Sequence, residues 1–155
     1  MEYIQSHKNE EGCVFCLALA QPDEPENLVV HVSQNSFIIM NRFPYTSGHL
    51  MIVPHAHVSS IEALEPAVRA EMMELAAAAM AVLRKIYHPQ GFNLGLNIGE
   101  AAGAGIAEHV HLHVVPRWAG DTNFMSSLGQ TRVLPEILQD TYQRVCAAWQ
   151  QREPE

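Results

Sequence analysis

Basic residues are scarce in this chain. Lys and Arg total 9 against 17 Asp and Glu, for a formal net charge of −8 over 155 residues. A duplex-binding surface shows an excess of basic side chains, so nucleic acid is not expected as the main partner. A small nucleotide is not excluded, because backbone amides hold a phosphate without any lysine. Cysteine is scarce too: only Cys13, Cys16 and Cys146. An odd count with a tight C-x-x-C pair argues against a disulfide framework and towards metal or redox chemistry. Long apolar runs are missing. Leu75–Leu83 is too short to span a bilayer and is Ala-rich within a polar helix. The opening MEYIQSHKNEEG lacks the apolar core of a signal peptide. The expectation is a cytoplasmic protein with no membrane partner. Hydrophobic residues at 48% and charged residues at 17% exclude a disordered chain. The length suits one domain over residues 1–155, with 1–12 polar and loose.

Histidine is what the chain has in excess. There are nine, as many as Lys and Arg combined, and most cluster between positions 49 and 113. Imidazole ligates metals, carries protons and serves as a nucleophile.

Periodicity places the elements. Leu28–Val32 and Ser36–Asn41 are short strand-like runs around Ser33-Gln34-Asn35. Arg42–Gly48 reads as a turn, and Leu50–Val53 as a strand stopped by Pro54. Pro66 opens a long helix to about Tyr87. Val68, Met72, Leu75, Met80 and Leu83 form its apolar stripe, which packs on a sheet. Pro89 and Gly91 end it. Phe92–Ile98 is a strand, Gly99–Gly105 a Gly/Ala-rich loop, and His109–Val115 a strand stopped by Pro116. A C-terminal helix spans 134–151, with Pro135 near its start. The sum is an α+β fold with about five strands in a mostly antiparallel sheet, one long helix and a C-terminal helix.

The most informative string is His109-Val110-His111-Leu112-His113-Val114-Val115. Residues i, i+2 and i+4 of a strand share a face, so three imidazoles line one side and apolar side chains the other. From spacing alone, catalysis, metal binding and a structural role all remain open. Just upstream, Asn97–Gly105 carries glycines that let backbone approach a phosphate.

This combination resembles the histidine triad (HIT) family of nucleotide hydrolases and transferases. His109–Val115 matches the family's alternating signature at every position. The resemblance extends to Cys13-Val14-Phe15-Cys16, Asn41, Gly48-His49-Leu50, Val53-Pro54-His55-Ala56-His57, the Asn97–Gly105 loop and Pro116-Arg117-Trp118. The string Arg117–Met125 is most similar to the branch that cleaves diadenosine polyphosphates, particularly its bacterial phosphorylase-like members. The resemblance implies a HIT-like fold and a homodimer with two sheets side by side. It implies that His111 attacks the α-phosphorus and forms a covalent nucleotidyl-histidine. His113 then hydrogen-bonds a phosphate oxygen or the leaving group, and His49 supports the triad. Asn41 contacts the ribose, and Asn97 with the backbone of Gly103 and Gly105 contacts phosphate. Phosphate or water as acceptor makes the enzyme a phosphorylase or a hydrolase. No catalytic metal is implied, although a divalent ion can accompany the substrate. A purine-nucleotide-binding regulatory module, a hydrolase of other nucleoside phosphates or phosphoramidates, and a zinc-stabilised scaffold are the competing readings. One departure concerns a Gln-Ser or Gln-Thr pair common before the triad, where this chain has Gly105 and Ile106.

The same resemblance implies structural zinc. Cys13 and Cys16 have finger-like spacing. The family's other ligands correspond to His57 and to His109, which as the first triad histidine also belongs to the catalytic set, with His55 as a competitor. The alternative is that both cysteines are plain reduced thiols. Cys146 reads as a small core residue, and His7, His31 and His88 receive no role. Arg117 is a phosphate contact or an ion pair, and Trp118 a packing or substrate residue. Asp121 satisfies a turn, while Asn123 and Phe124 face a second nucleotide.

Overall fold

The computed structural model describes residues 12–123, 128–129, 134 and 136–152. The expectations for residues 1–11, Phe124, Met125 and Pro135 lie outside the described residues.

Five strands form one sheet: β1 (Val29–Val32), β2 (Ser36–Met40), β3 (Leu50–Pro54), β4 (Gly91–Leu96) and β5 (Leu112–Arg117). The order is β1-β2-β3-β5-β4, and every neighbouring pair is antiparallel. Three α-helices accompany it among the described residues: α1 (Val14–Ala20), α2 (Pro66–Tyr87) and α3 (Leu138–Gln150). The fold is α+β, as expected. β4 is an edge strand, hydrogen-bonded on one side only among the described residues.

Register separates the two faces. Ile38, Ile52 and Leu112 lie in line across β2, β3 and β5, as do Met40, Leu50 and Val114. All six are buried and join α2 in one core. Ile39, Met51, His113 and Gly95 line up on the opposite face. A β-strand alternates its side chains, so the same five-residue runs supply both core and site.

Helix α2 begins on Pro66 and ends at His88, which adopts a left-handed conformation with φ 48°. Of its expected stripe, Met72, Leu75 and Leu83 are buried, while Val68 and Met80 pack only partly. Ala76 and Ala79 complete the contact line with 0% exposure, so the helix backbone sits close to the sheet. Gly48 faces this helix. Its φ is +82°, and a Cβ there would stand 2.9 Å from Leu83 Cδ2. Only glycine meets both constraints.

Strands β1 to β4 end within two residues of expectation, and three larger differences stand out. The β5 ladder begins at Leu112 and runs through Pro116 to Arg117, instead of spanning His109–Val115. Pro116 fits because a proline is tolerated where its nitrogen is not asked to donate. The residues before Leu112 are drawn elsewhere: Val110 N–H donates to Val58 O. The C-terminal helix starts at Leu138, four residues after the expected 134. Glu136 is held aside by Thr141 Oγ1, Tyr87 OH and Arg144. Helix α1 was not expected at all. Its seven residues are too few to show a period. Cys146 is half-buried beside Tyr142 rather than deep in the core.

Candidate active site and metal centre

The three histidines of the signature sit in two linked sites. His109 reaches the N-terminal segment. Its Nδ1 lies 3.3 Å from Cys13 Sγ and 3.7 Å from Cys16 Sγ. His57 Nδ1 lies 3.4 Å from Cys16 Sγ. All four donor atoms fall within 4.8 Å of one another. A tetrahedral ion with sulfur at about 2.3 Å and nitrogen at about 2.0 Å sets ligand–ligand edges of roughly 3.3–3.8 Å. The four residues therefore fit such an ion. His109 is prepared for it: Nε2–H donates to Pro54 O at 2.8 Å, which leaves the Nδ1 lone pair for a metal. Crowding is also visible at Cys16, where burial and the neighbouring Cys13 raise the thiol pKa. A bound cation reverses that cost. His55 is not part of this cluster; it packs on the Phe37 ring.

His111 has the opposite tautomer. Its Nδ1–H donates to His109 O at 2.9 Å, so Nε2 carries the lone pair. The ring is 5% exposed and lies against Phe15, with centroids 4.9 Å apart. Burial lowers its pKa. A neutral imidazole with a lone pair on the outer nitrogen is nucleophilic.

His113 is set by a relay. Tyr45 N–H donates to His49 Nδ1 at 3.1 Å, and Asn41 Nδ2 lies 3.4 Å from the same nitrogen. Nδ1 of His49 is therefore the acceptor and Nε2 holds the proton. That Nε2–H donates to His113 Nδ1 at 2.9 Å. The remaining proton of neutral His113 must sit on Nε2. Burial first, and then charge on His111, push the His113 pKa down to about 4. The neighbouring rings of His111 and His113, 4.9 Å apart, thus offer one acceptor and one donor.

Two cavities flank these rings. A small one of about 220 Å³ is walled by Phe15, Ile39, Met51 and Ile106 and contains Asn41. Asn41 is held by its Oδ1, which accepts from Phe43 N–H at 2.9 Å. A larger one of about 930 Å³ is reached by His113 and Asn97. Gly103 and Gly105 line neither cavity. The Gly103 N–H is turned inwards, donating to Glu100 O at 2.9 Å.

Arg117 is an ion-pair residue. It grips Asp121 through Nε and Nη2, each at 2.6 Å, and donates to Asn93 Oδ1 at 2.7 Å. This hydrogen bond holds the Asp121 carboxyl well below the usual carboxylate range. Trp118 Nε1 donates to Tyr87 O at 3.3 Å, so its indole nitrogen serves packing at the end of α2. His31 packs against Trp149 at a tilt of 36°, with centroids 5.0 Å apart.

Sequence reasoning missed three participants. Tyr45 supplies the N–H that starts the His49 relay, and its ring stacks on His113. Phe15 packs on both His109 and His111. The Pro54 carbonyl fixes His109. Only Phe15 carried a signal, its place between the two cysteines.

The chain is similar to known proteins in sequence and in fold. The HIT domain family profile matches residues 22–120. The AP-4-A phosphorylase of Mycobacterium tuberculosis is 41% identical over 131 residues, covering 84% of this chain and 67% of that protein. The adenylylsulfatase HINT3 of Arabidopsis thaliana is 26% identical over 150 residues, covering 93% and 75%. A Zn-bound histidine triad family protein from Mycobacterium smegmatis has a TM-score of 0.71 at 30% identity, covering 90% of this chain and 94% of its own.

Proposed function

The chain belongs to the HIT domain family, and from that premise we propose an enzyme that transfers a nucleotidyl group from dinucleoside polyphosphates through His111. The observation that carries this reading is the opposed tautomers of His111 and His113. Binding alone requires no nucleophile beside a donor, which disfavours a regulatory module.

The reaction has two displacements. In the first, the Nε2 lone pair of His111 forms a bond to the α-phosphorus. The bond from that phosphorus to the leaving nucleotide's oxygen breaks, and the electron pair departs with the oxygen. The imidazole becomes cationic while Nδ1–H stays on His109 O, which disperses the charge. His113 Nε2–H donates to a phosphate or leaving oxygen. In the second, an oxygen of inorganic phosphate attacks, and the nitrogen–phosphorus pair returns to Nε2. Diadenosine tetraphosphate then yields ATP and ADP. Water in place of phosphate yields AMP and releases a proton.

The transferred nucleoside occupies the small cavity, with Asn41 at the ribose. Asn97 reaches phosphate from the larger cavity, whereas Gly103 and Gly105 line neither cavity and are assigned at most a backbone contact from the adjoining loop. Phosphate is the favoured acceptor, on the likeness to the mycobacterial phosphorylase. A divalent ion can travel with the polyphosphate.

Zinc suits the donor set of Cys13, Cys16, His57 and His109. When bound it ties α1 to the start of the histidine run and leaves no open position for chemistry. We further propose a single domain over 1–155, a cytoplasmic location and a homodimer with its two sheets side by side.

The test is product analysis of diadenosine tetraphosphate with and without inorganic phosphate. ADP plus ATP that requires phosphate supports the phosphorylase. AMP plus ATP without it supports the hydrolase. Nucleotide binding with no turnover, and no nucleotidyl mass on His111, would overturn the reading.

A further inference from the structure

Gly95 is not explained by the fold. It sits within β4, where a glycine weakens a strand and offers nothing to pack. Its backbone does not need glycine, since it is not among the residues with positive φ. Among the described residues no close neighbour requires it either, because a Cβ there would meet nothing within 4 Å. A glycine with neither reason marks a place where something else approaches the strand.

The register says where. Gly95 is the ladder partner of His113, so any side chain at 95 would stand beside the imidazole on the same face. Both residues line the larger cavity, together with Tyr45, Asn93, Asn97 and Trp118. Across from Gly95, the exposed Tyr45 ring lies nearly parallel to His113, at 20° and 5.9 Å between centroids. The cavity's two arginines are engaged, Arg117 by Asp121 and Arg144 by Glu136. Beside these two ion pairs, its occupant is met by an aromatic face, amides and an imidazole.

Size separates the two cavities. About 220 Å³ suits one nucleoside, and about 930 Å³ holds a whole nucleotide with its phosphates. In-line displacement sends the leaving group away from the attacking nitrogen, and of the two rings it is the donor His113 that lines the larger cavity.

We propose that Gly95 is a specificity residue: its bare backbone is the wall that admits a leaving nucleotide beside His113, selecting dinucleoside polyphosphates over nucleotidyl donors with small leaving groups. This rests on nucleotidyl transfer through His111.

The test compares diadenosine tetraphosphate with adenosine 5′-phosphorofluoridate, whose leaving group is fluoride. kcat/KM for each is measured in the wild type, Gly95→Ala and Gly95→Val, and His111 nucleotidylation is followed by mass spectrometry. The ratio of dinucleotide to fluoridate efficiency falls roughly tenfold in Gly95→Val and by less in Gly95→Ala. A ratio unchanged in both variants overturns the proposal. So does a change of oligomeric state by light scattering, which would make the cavity a contact between chains. A wild type that neither donor nucleotidylates defeats the functional reading itself. A nucleotidylated wild type with an unchanged ratio defeats only the role of Gly95.

Discussion

His49 Nε2 stands 2.9 Å from His113 Nδ1, and this contact decides which nitrogen of His113 faces the cavity. The direction of the bond comes from further back, where Tyr45 N–H occupies the other side of the His49 ring. His49 has 0% exposure and lines neither of the two cavities, so it acts as a positioning residue. Removing it frees His113 to exchange tautomers. His49→Ala is expected to lower kcat by about 10–100-fold with a smaller change in KM. Imidazole ¹⁵N shifts of His113 give an independent check. The wild type shows the Nε2–H form and the variant a mixture. An unchanged tautomer beside a lowered kcat would mean that His49 only fills space.

The metal centre separates two histidines that lie two residues apart. His57 Nδ1 is in the donor cluster, while His55 faces Phe37. Purified protein is expected to hold about one zinc per chain. His57→Ala and Cys16→Ser lose it, and His55→Ala keeps it, as elemental analysis would show. Metal loss lowers Tm by at least about 5 °C, because α1 and the His109 segment lose their shared anchor. Retention of full zinc in His57→Ala would refute this ligand set.

Burial of His113 has a consequence for stability against pH. The unfolded imidazole takes up its proton near 6.5, and the native one only near 4. Between these values the unfolded chain binds more protons, so stability falls as pH drops through that window and is flat above it. Urea midpoints at about pH 7.5 and about pH 5 should show the loss, and His113→Asn should shrink it. The His113 Cε1–H resonance should not titrate until the pH is well below 6.5. A native midpoint near 6.5 would contradict the effect.

The histidine face was legible because Val110, Leu112 and Val114 alternate with it, and alternation is the strongest signal a strand sends. The division of labour along that face was less so. His109 belongs to the metal cluster because Pro54 O takes its Nε2 proton, a contact across 55 positions that no local pattern announces. Tyr45 escaped notice for a similar reason. It acts chiefly through its backbone N–H, which every non-proline residue carries. Arg117 read equally as a phosphate ligand or an ion pair, and only the folded turn brought Asp121 within 2.6 Å.

Gly48 couples the core to this site. Its φ of +82° costs a non-glycine residue about 1–2 kcal/mol, and the 2.9 Å approach to Leu83 adds a clash. Gly48→Ala is therefore expected to lose roughly 2–3 kcal/mol in urea unfolding. Because His49 follows directly, relief of the clash by backbone movement shifts the His49–His113 contact. The variant should then lose kcat beyond what its folded fraction accounts for, measured at a temperature where it is fully native. Stability lost with kcat intact would show that Leu83 yields instead, and that the relay is insulated from the helix.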